Sequence, residues 1–286
     1  MRIHVLNTGY FKLDGGAMFG VVPKVIWQKS NPPDENNMCS WAMRSLLIED
    51  GNHLMLIDAG IGDKQNEKFF SHFYRYGNDS LHGNLAKLGF HASDVTDVFL
   101  THLHFDHCGG SIEWNDSKSG YRPTFPSATY WSNEKHWLWA TEPNPREKAS
   151  FLSENILPIQ ASGQLKFIVR EGDFMEKVFP NMDVLFVDGH TESMMIPHIK
   201  YKGKTLVFMA DLLPSVGHIP LPYVMGYDTR PLITLKEKAS ILENSARENH
   251  VLFLEHDSVN ECCTLQETEK GVRLKETFDL STFLSE

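Results

Sequence analysis

The sequence predicts an α/β protein in which two β-sheets pack together with helices outside them. Three observations lead there. Short runs rich in Val, Ile, Leu and Phe recur along the whole chain, most of them bounded by turn residues. Helical patterns are interspersed among these runs and are fewer. Several of the runs stop on a His or an Asp, which sets polar chemistry at strand ends, on a rigid base. With 286 residues and 41% hydrophobic content, the chain can bury a sizeable core in one large domain or two small ones. Neither an internal repeat nor a low-complexity tract is present. The polar stretches 30–37 and 113–123 are loops and not linkers, because strand patterns resume on both sides. The chain therefore reads as a single domain over 1–286, with an elaboration around 111–165.

The elements follow in order. Strand patterns occupy "RIHVLNT" (2–8), "RSLLIED" (44–50) and "HLMLIDAG" (53–60). Helical patterns follow in "NEKFFSHFYRYG" (66–77) and "SLHGNLAKLG" (80–89), then a strand in "DVFLTH" (97–102). The elaboration holds a strand in "ATYWS" (128–132) and helical patterns in "SNEKHWLWA" (132–140) and "REKASFLSENI" (146–156). Strands return in "LKFIV" (165–169), "VLFVDGH" (184–190), "MIPHIKY" (195–201) and "TLVFMAD" (205–211). A helix in 234–250 precedes the last strong strand, "VLFLEH" (251–256), and the tail from 265 is mixed and slightly acidic.

Charge and cysteine usage narrow the function classes. A formal net charge of -10 argues against a nucleic-acid partner, whose binders show basic patches. The N-terminus lacks the apolar core of a signal peptide, and no stretch approaches the ~18 apolar residues of a membrane span, so no membrane partner is expected. The four cysteines, Cys39, Cys108, Cys262 and Cys263, form no CxxC pair and read as reduced, buried thiols of a cytoplasmic protein. Cys108 lies beside a histidine cluster, so a role near a metal stays open for it.

That cluster, "THLHFDHCGG" (101–110), carries the most specific signal. His102 and His104 are two apart, so in an extended segment both point the same way. Asp106 and His107 follow after the chain begins to turn, and Gly109 and Gly110 permit the turn. Apolar runs ending in His102, His190, Asp211 and His256 supply the remaining ligand types. One strand-end histidine is ordinarily structural, but four such ends beside an HxHxDH cluster point to metal. Imidazole and carboxylate without thiolate suit zinc first, then manganese, iron or cobalt. His102, His104, Asp106, His107, His190, Asp211 and His256 are enough for two divalent ions. Two such ions against two carboxylates and a bridging hydroxide leave one net positive charge, suited to an oxygen that gains negative charge in the transition state. His53, His72, His82, His91, His136, His198 and His250 lack this setting and read as structural or solvated.

"THLHFDHCGG" resembles the HxHxDH signature of the metallo-β-lactamase superfamily. "LIDAG" (56–60), "DGHTES" (188–193), "FMAD" (208–211) and "FLEHD" (253–257) follow the superfamily's order over most of the chain. The resemblance implies a four-layer αββα sandwich with a dinuclear site. It assigns His102, His104 and His190 to one metal and Asp106, His107 and His256 to the other, with Asp211 bridging and Asp58 orienting a ligand histidine. Glu192 and Ser193 depart from the usual Pro-Gly after the histidine of the GHT motif, which puts the turn in question. HxHxDH in place of HxExDH disfavours the oxygen-reducing diiron branch.

The start, "TGYFKLDGGAMFGVVPK" (8–24), resembles the quorum-quenching N-acyl homoserine lactonase branch. That implies a hydrolase opening a lactone by attack of a metal-bridging hydroxide. Phe11, Met18, Phe19 and Val22 are then candidates for acyl-chain contacts, or else pack an N-terminal hairpin. Asp106 and Asp211 would serve catalysis, with Asp211 or a metal-bound water handing a proton to the leaving alkoxide. Tyr223 and His218, with Tyr227 behind them, are candidates to meet the substrate. The rivals are a phosphotriesterase or other ester hydrolase of the same fold, and a metal-binding sensor or effector without turnover. The expected partner is a small ester or lactone, with homodimerisation left open.

Overall fold

The computed structural model describes residues 1–285, which form two compact units. The first combines Met1–Tyr10 with Met43–Arg170, and the second combines Phe11–Ala42 with the chain from Glu171 onward.

The strands leading through the first unit are β1 (Arg2–Asp14), β2 (Met38–Asp50), β3 (His53–Ile57), β4 (Asp97–Phe99), β5 (Ile112–Trp114), β6 (Tyr121–Pro123), β7 (Thr129–Ser132) and β8 (Leu165–Phe167). Six of them make one sheet in the order β1-β2-β3-β4-β7-β8, while β5 and β6 pair separately. β2 and β3 are antiparallel, whereas β3, β4, β7 and β8 run parallel. Parallel strands need long crossovers, and helices supply them: Leu81–Lys87 between β3 and β4, Glu134–Thr141 and Ser153–Ala161 between β7 and β8. Leu56, Val98, Leu100, Tyr130, Trp137, Ile156 and Ile159 belong to the one buried cluster these elements share.

The second unit continues with β9 (Phe174–Phe179), β10 (Met182–Val187), β11 (Met194–Tyr201), β12 (Lys204–Phe208), β13 (Val251–Phe253), β14 (Cys262–Thr268) and β15 (Gly271–Phe278). They form a sheet in the order β15-β14-β13-β12-β11-β10-β9. Only β12 and β13 pair in parallel, and the crossover between them is the helix Pro231–Glu248. Pro231 opens that helix without losing a needed N–H, and Asn249 closes it in the left-handed conformation with φ 53°. Its buried residues, Thr234, Lys238, Ile241, Leu242 and Ser245, recur at three- and four-residue spacing and so share one face.

This topology explains why the strand ends matter. β10 is antiparallel to β11, and β11 to β12, so β10 and β12 run the same way, as does β13. The segments that carry His190, Asp211 and His256 therefore all leave the second sheet at the same edge. The expected mixed α/β class with two sheets is what the chain adopts. No helix among the described residues is long and apolar enough to cross a membrane.

Three local departures stand out, the first two with a physical cause. The tail holds the hairpin β14–β15, exposed along β15 and the second half of β14 and rich there in Thr, Gln, Glu and Lys, so no apolar alternation announces it. The helix expected over 146–156 begins later, at Ser153, because the Asn144 side chain accepts the N–H groups of Arg146 and Glu147 and holds a turn there. The helix expected over 66–77 spans only Glu67–Ser71.

Gly109 and Gly110 also act differently from the expected turn. Gly109 is helical (φ -57°), and what it needs is room: a Cβ there would lie 2.1 Å from the Ile61 carbonyl oxygen. At Gly110 the obstacle is the Ala59 carbonyl, also at 2.1 Å. Both glycines let the histidine loop lie directly on the chain that leaves β3. Gly109→Ala is expected to lower stability by about 1–3 kcal/mol in urea unfolding. An unchanged midpoint would show that the loop has room to shift.

Candidate metal centre

In the first unit the site is built by fastening one loop from several directions. Asp58, just after β3 and left-handed at φ 55°, accepts the Thr101 N–H (2.8 Å) and hydroxyl (2.7 Å). This fixes the chain as it leaves β4. His102 and His104 then lie in an extended stretch, and Phe105–Cys108 forms one helical turn, whose His107 and Cys108 N–H groups donate to the His104 carbonyl. The change from extended to helical backbone turns Asp106 and His107 away from the direction of the first two histidines. His102 Nε2 and His104 Nδ1 are 3.1 Å apart, and the His102 and His107 rings are centred 3.9 Å apart. Asp106 Oδ2 lies 3.8 Å from His107 Nε2. All four side chains are buried.

In the second unit Asp211 divides its carboxylate. Oδ2 lies 3.0 Å from His190 Nε2 and Oδ1 lies 3.0 Å from His256 Nε2. The far nitrogens of both rings are engaged too. His190 Nδ1 donates to Asp228 Oδ1 (2.8 Å), and His256 Nδ1 donates to the Ala42 carbonyl (2.8 Å).

These hydrogen bonds test whether the residues fit a metal. A carbonyl only accepts, so His256 must carry its proton on Nδ1. In the neutral ring the Nε2 lone pair would then face a carboxylate oxygen, a meeting of two acceptors that a proton on Nε2 or a metal ion between them would satisfy. His190 repeats the arrangement. In the first unit His107 does the same, with Nδ1 on Asp58 Oδ2 (3.1 Å) and Nε2 toward Asp106. Burial pushes the His190 imidazole down, but the Asp211 and Asp228 carboxylates outweigh it, and its pKa is raised to about 10. The site thus favours positive charge where a divalent cation would supply it. The fit is good, with the His107, His190 and His256 rings each held at Nδ1 by an outer partner.

Several outer partners were not apparent in the sequence. Asp228 lies 38 residues beyond the histidine it orients. His136, read as structural, accepts the Leu103 N–H at 2.9 Å and so holds the backbone between His102 and His104. Glu147 is buried, accepts the Trp139 indole N–H, and places Oε1 3.5 Å from His104 Nε2. The buried Lys64 ammonium donates to the Gly109 carbonyl, and burial pushes its pKa down to about 8. Phe105, beside Asp106, packs against the half-buried rings of Phe69 and Phe73, centred 5.4 and 4.7 Å away.

Other expectations change. Cys108 is no ligand: its thiol donates to the Leu103 carbonyl (3.2 Å), and burial pushes its pKa up to about 12, so it stays protonated. His218 is not free to handle a substrate proton. Its Nδ1 accepts from the Ser215 hydroxyl (2.8 Å) and its Nε2 donates to the Met18 carbonyl (2.9 Å). Phe19 stacks on His218 at 4.3 Å and on Trp27 at 5.1 Å, fully buried. Phe11 and Met18 are buried as well, and Phe11 lies 5.8 Å from the His256 ring. Core packing, the second of the two readings of this loop, describes these three; Val22 is half-buried. Tyr223 is half-buried and edge-on to Phe19, and Tyr227 is exposed.

The turn after His190 survives its altered sequence. Ser193 takes the left-handed conformation (φ 56°) in which glycine is at ease, and its N–H donates to Asp188 Oδ1 at 2.9 Å. Glu192 is buried in an ion pair with Arg230, which also donates to the Asp188 carbonyl.

The chain belongs to the metallo-β-lactamase superfamily, whose family model, described as "Metallo-beta-lactamase superfamily", matches residues 44–256. An N-acyl homoserine lactonase of Bacillus cereus is 23% identical over 252 residues, covering 83% of this chain and 87% of that one. Among solved structures, a probable metal-dependent hydrolase from Staphylococcus aureus superposes with a TM-score of 0.85 at 28% identity, over 97% of this chain and 98% of that one. AidC, a dizinc quorum-quenching lactonase, superposes with a TM-score of 0.78 at 20% identity, over 97% and 95%. The fold is thus that of metallo-β-lactamase hydrolases, and each unit carries His and Asp groups able to bind metal ions.

Two predictions follow from these partners. Asp228→Ala removes the acceptor that orients His190, and metal affinity in competition with a chromogenic chelator is expected to fall about 10–100-fold. Unchanged affinity would remove Asp228 from the site. His218 gives a pH prediction. Burial lowers its pKa from 6.5 to about 3, so below pH 6.5 the unfolded chain binds a proton that the folded chain refuses. The stability contributed by the neutral ring is full above that pH and is lost as pH falls toward 3, by up to about 1.4 kcal/mol per pH unit. Between about pH 7 and 5, His218→Gln should show a correspondingly flatter slope in denaturant titrations. Parallel slopes would refute a neutral His218.

Proposed function

We propose that the protein is a dinuclear metal hydrolase that opens lactones of the N-acyl homoserine type. As the resemblance implies, His102, His104 and His190 would hold one metal and Asp106, His107 and His256 the other, with Asp211 contributing to both. Zinc is the expected ion. When bound, the two ions supply Lewis acidity at the ester carbonyl and a nucleophile at neutral pH. The observation that carries this reading is the Asp211 carboxylate, with one oxygen at 3.0 Å from each of two imidazoles. The similarity to N-acyl homoserine lactonases over most of the chain supports the substrate class.

The chain's own groups then take defined tasks. Asp58 and Asp228 hold the Nδ1 edges of His107 and His190, leaving Nε2 of each ring to face a metal ion when one is bound. Asp211 would take the proton from the attacking water-derived oxygen and hand it to the leaving alkoxide oxygen. Tyr223 meets the substrate at its carbonyl or its leaving oxygen. The half-buried Phe69 and Phe73, packed on Phe105, give the acyl chain an apolar wall. The four buried cysteines, none of them in a disulfide, suit a cytoplasmic place of work.

Protein purified without chelator and loaded with zinc is expected to hold two equivalents and to open lactones with higher kcat/KM than β-lactams, glutathione thioesters or phosphodiesters. Each added acyl methylene should contribute up to ~0.8 kcal/mol until the apolar wall is covered, so kcat/KM should rise along a homoserine lactone series. Flat or absent activity along that series, beside good turnover of a phosphotriester, would replace the lactonase reading with the phosphotriesterase one.

A further inference from the structure

Lys238 is a buried charge with no part in the metal centre. It lies on the inner face of the helix Pro231–Glu248, 1% exposed. Its ammonium donates to three carbonyls: Tyr223 at 2.7 Å, His218 at 2.9 Å and Pro220 at 3.2 Å. An ammonium has three N–H donors, and here all of them go to one stretch of six residues. That stretch has little means of holding itself. Pro220 and Pro222 have no N–H to give, and its own backbone bonds are local, such as Tyr223 N–H to the Pro220 carbonyl (2.9 Å). Burial pushes the Lys238 pKa down to about 8, with the Asp228 charge opposing the shift.

A desolvated ammonium is a costly way to pack a helix, since an apolar side chain of similar volume often serves as well or better. What the ammonium adds is direction. Three bonds to one atom fix three carbonyls relative to each other. The order passes further, because the His218 ring bonds the Met18 carbonyl and stacks on Phe19. We propose that Lys238 is a positioning residue: its three-carbonyl clamp holds the 218–223 segment so that the Tyr223 phenol is presented to the substrate at one fixed attitude. The functional half of this inference rests on the reading of Tyr223 given above.

Two measurements on the zinc-loaded full chain separate the clamp from that reading. Hydrogen exchange tests the clamp without any substrate. In Lys238→Met the amides of 218–226 should exchange about tenfold faster or more, while β10–β13 keep their protection. Lys238→Gln, which keeps two donors without the charge, should fall between it and the wild type. Kinetics with N-hexanoyl homoserine lactone test the function. Lys238→Met should lower kcat about tenfold with KM nearly unchanged, and pairing it with Tyr223→Phe should cost no more than the worse single change. Wild-type exchange of 218–226 in folded Lys238→Met or Lys238→Gln would overturn the clamp. Faster exchange with multiplicative losses in the double variant would overturn its action through Tyr223. Wild-type kcat/KM in Tyr223→Phe would sink the Tyr223 reading and the functional half with it, leaving the clamp to be decided by exchange alone.

Discussion

A buried carboxylate facing two imidazole Nε2 atoms calls for positive charge there, as protons or as a metal ion, and the second unit is arranged around that need. Asp211 offers one oxygen to His190 and the other to His256. Neither ring can turn away, because Asp228 and the Ala42 carbonyl hold their far nitrogens. The parallel direction of β10, β12 and β13 brings the three side chains to one edge. The helix between β12 and β13 is in turn required by their parallel pairing.

The first unit meets the same need with a single loop. Its two-residue histidine spacing works only while the backbone is extended, and its Asp-His pair works only once the helical turn has begun. Everything around the loop enforces that switch: Asp58 at its start, His136 at its middle, Lys64 and the two close-packed glycines at its end. Polar groups rather than apolar packing set the ligand geometry, so the burial that makes each bond strong also makes each one necessary.

The clustered His and Asp groups able to bind metal were legible in the sequence because each ends an apolar run or sits at a spacing with one geometric meaning. The two-sheet α/β class was legible for a related reason: the parallel strands are continuous apolar runs. The outer partners were not. Glu147, Asp228 and Lys64 look like ordinary helix or loop charges, and only the fold brings Asp228 back to a histidine 38 residues earlier. The β14–β15 hairpin escaped because its strands alternate little between apolar and polar. Phe19 had the composition of a ligand contact, yet the aromatic stack with His218 and Trp27 absorbs its ring.

That stack has a consequence for traffic. A segment whose carbonyl is bonded by a neutral histidine, and whose ring lies between two others, is a wall and not a flap. Opening it would break the Met18 bond and unstack Phe19 together. The segment therefore keeps one outline, and any motion of it would have to give up both contacts at once.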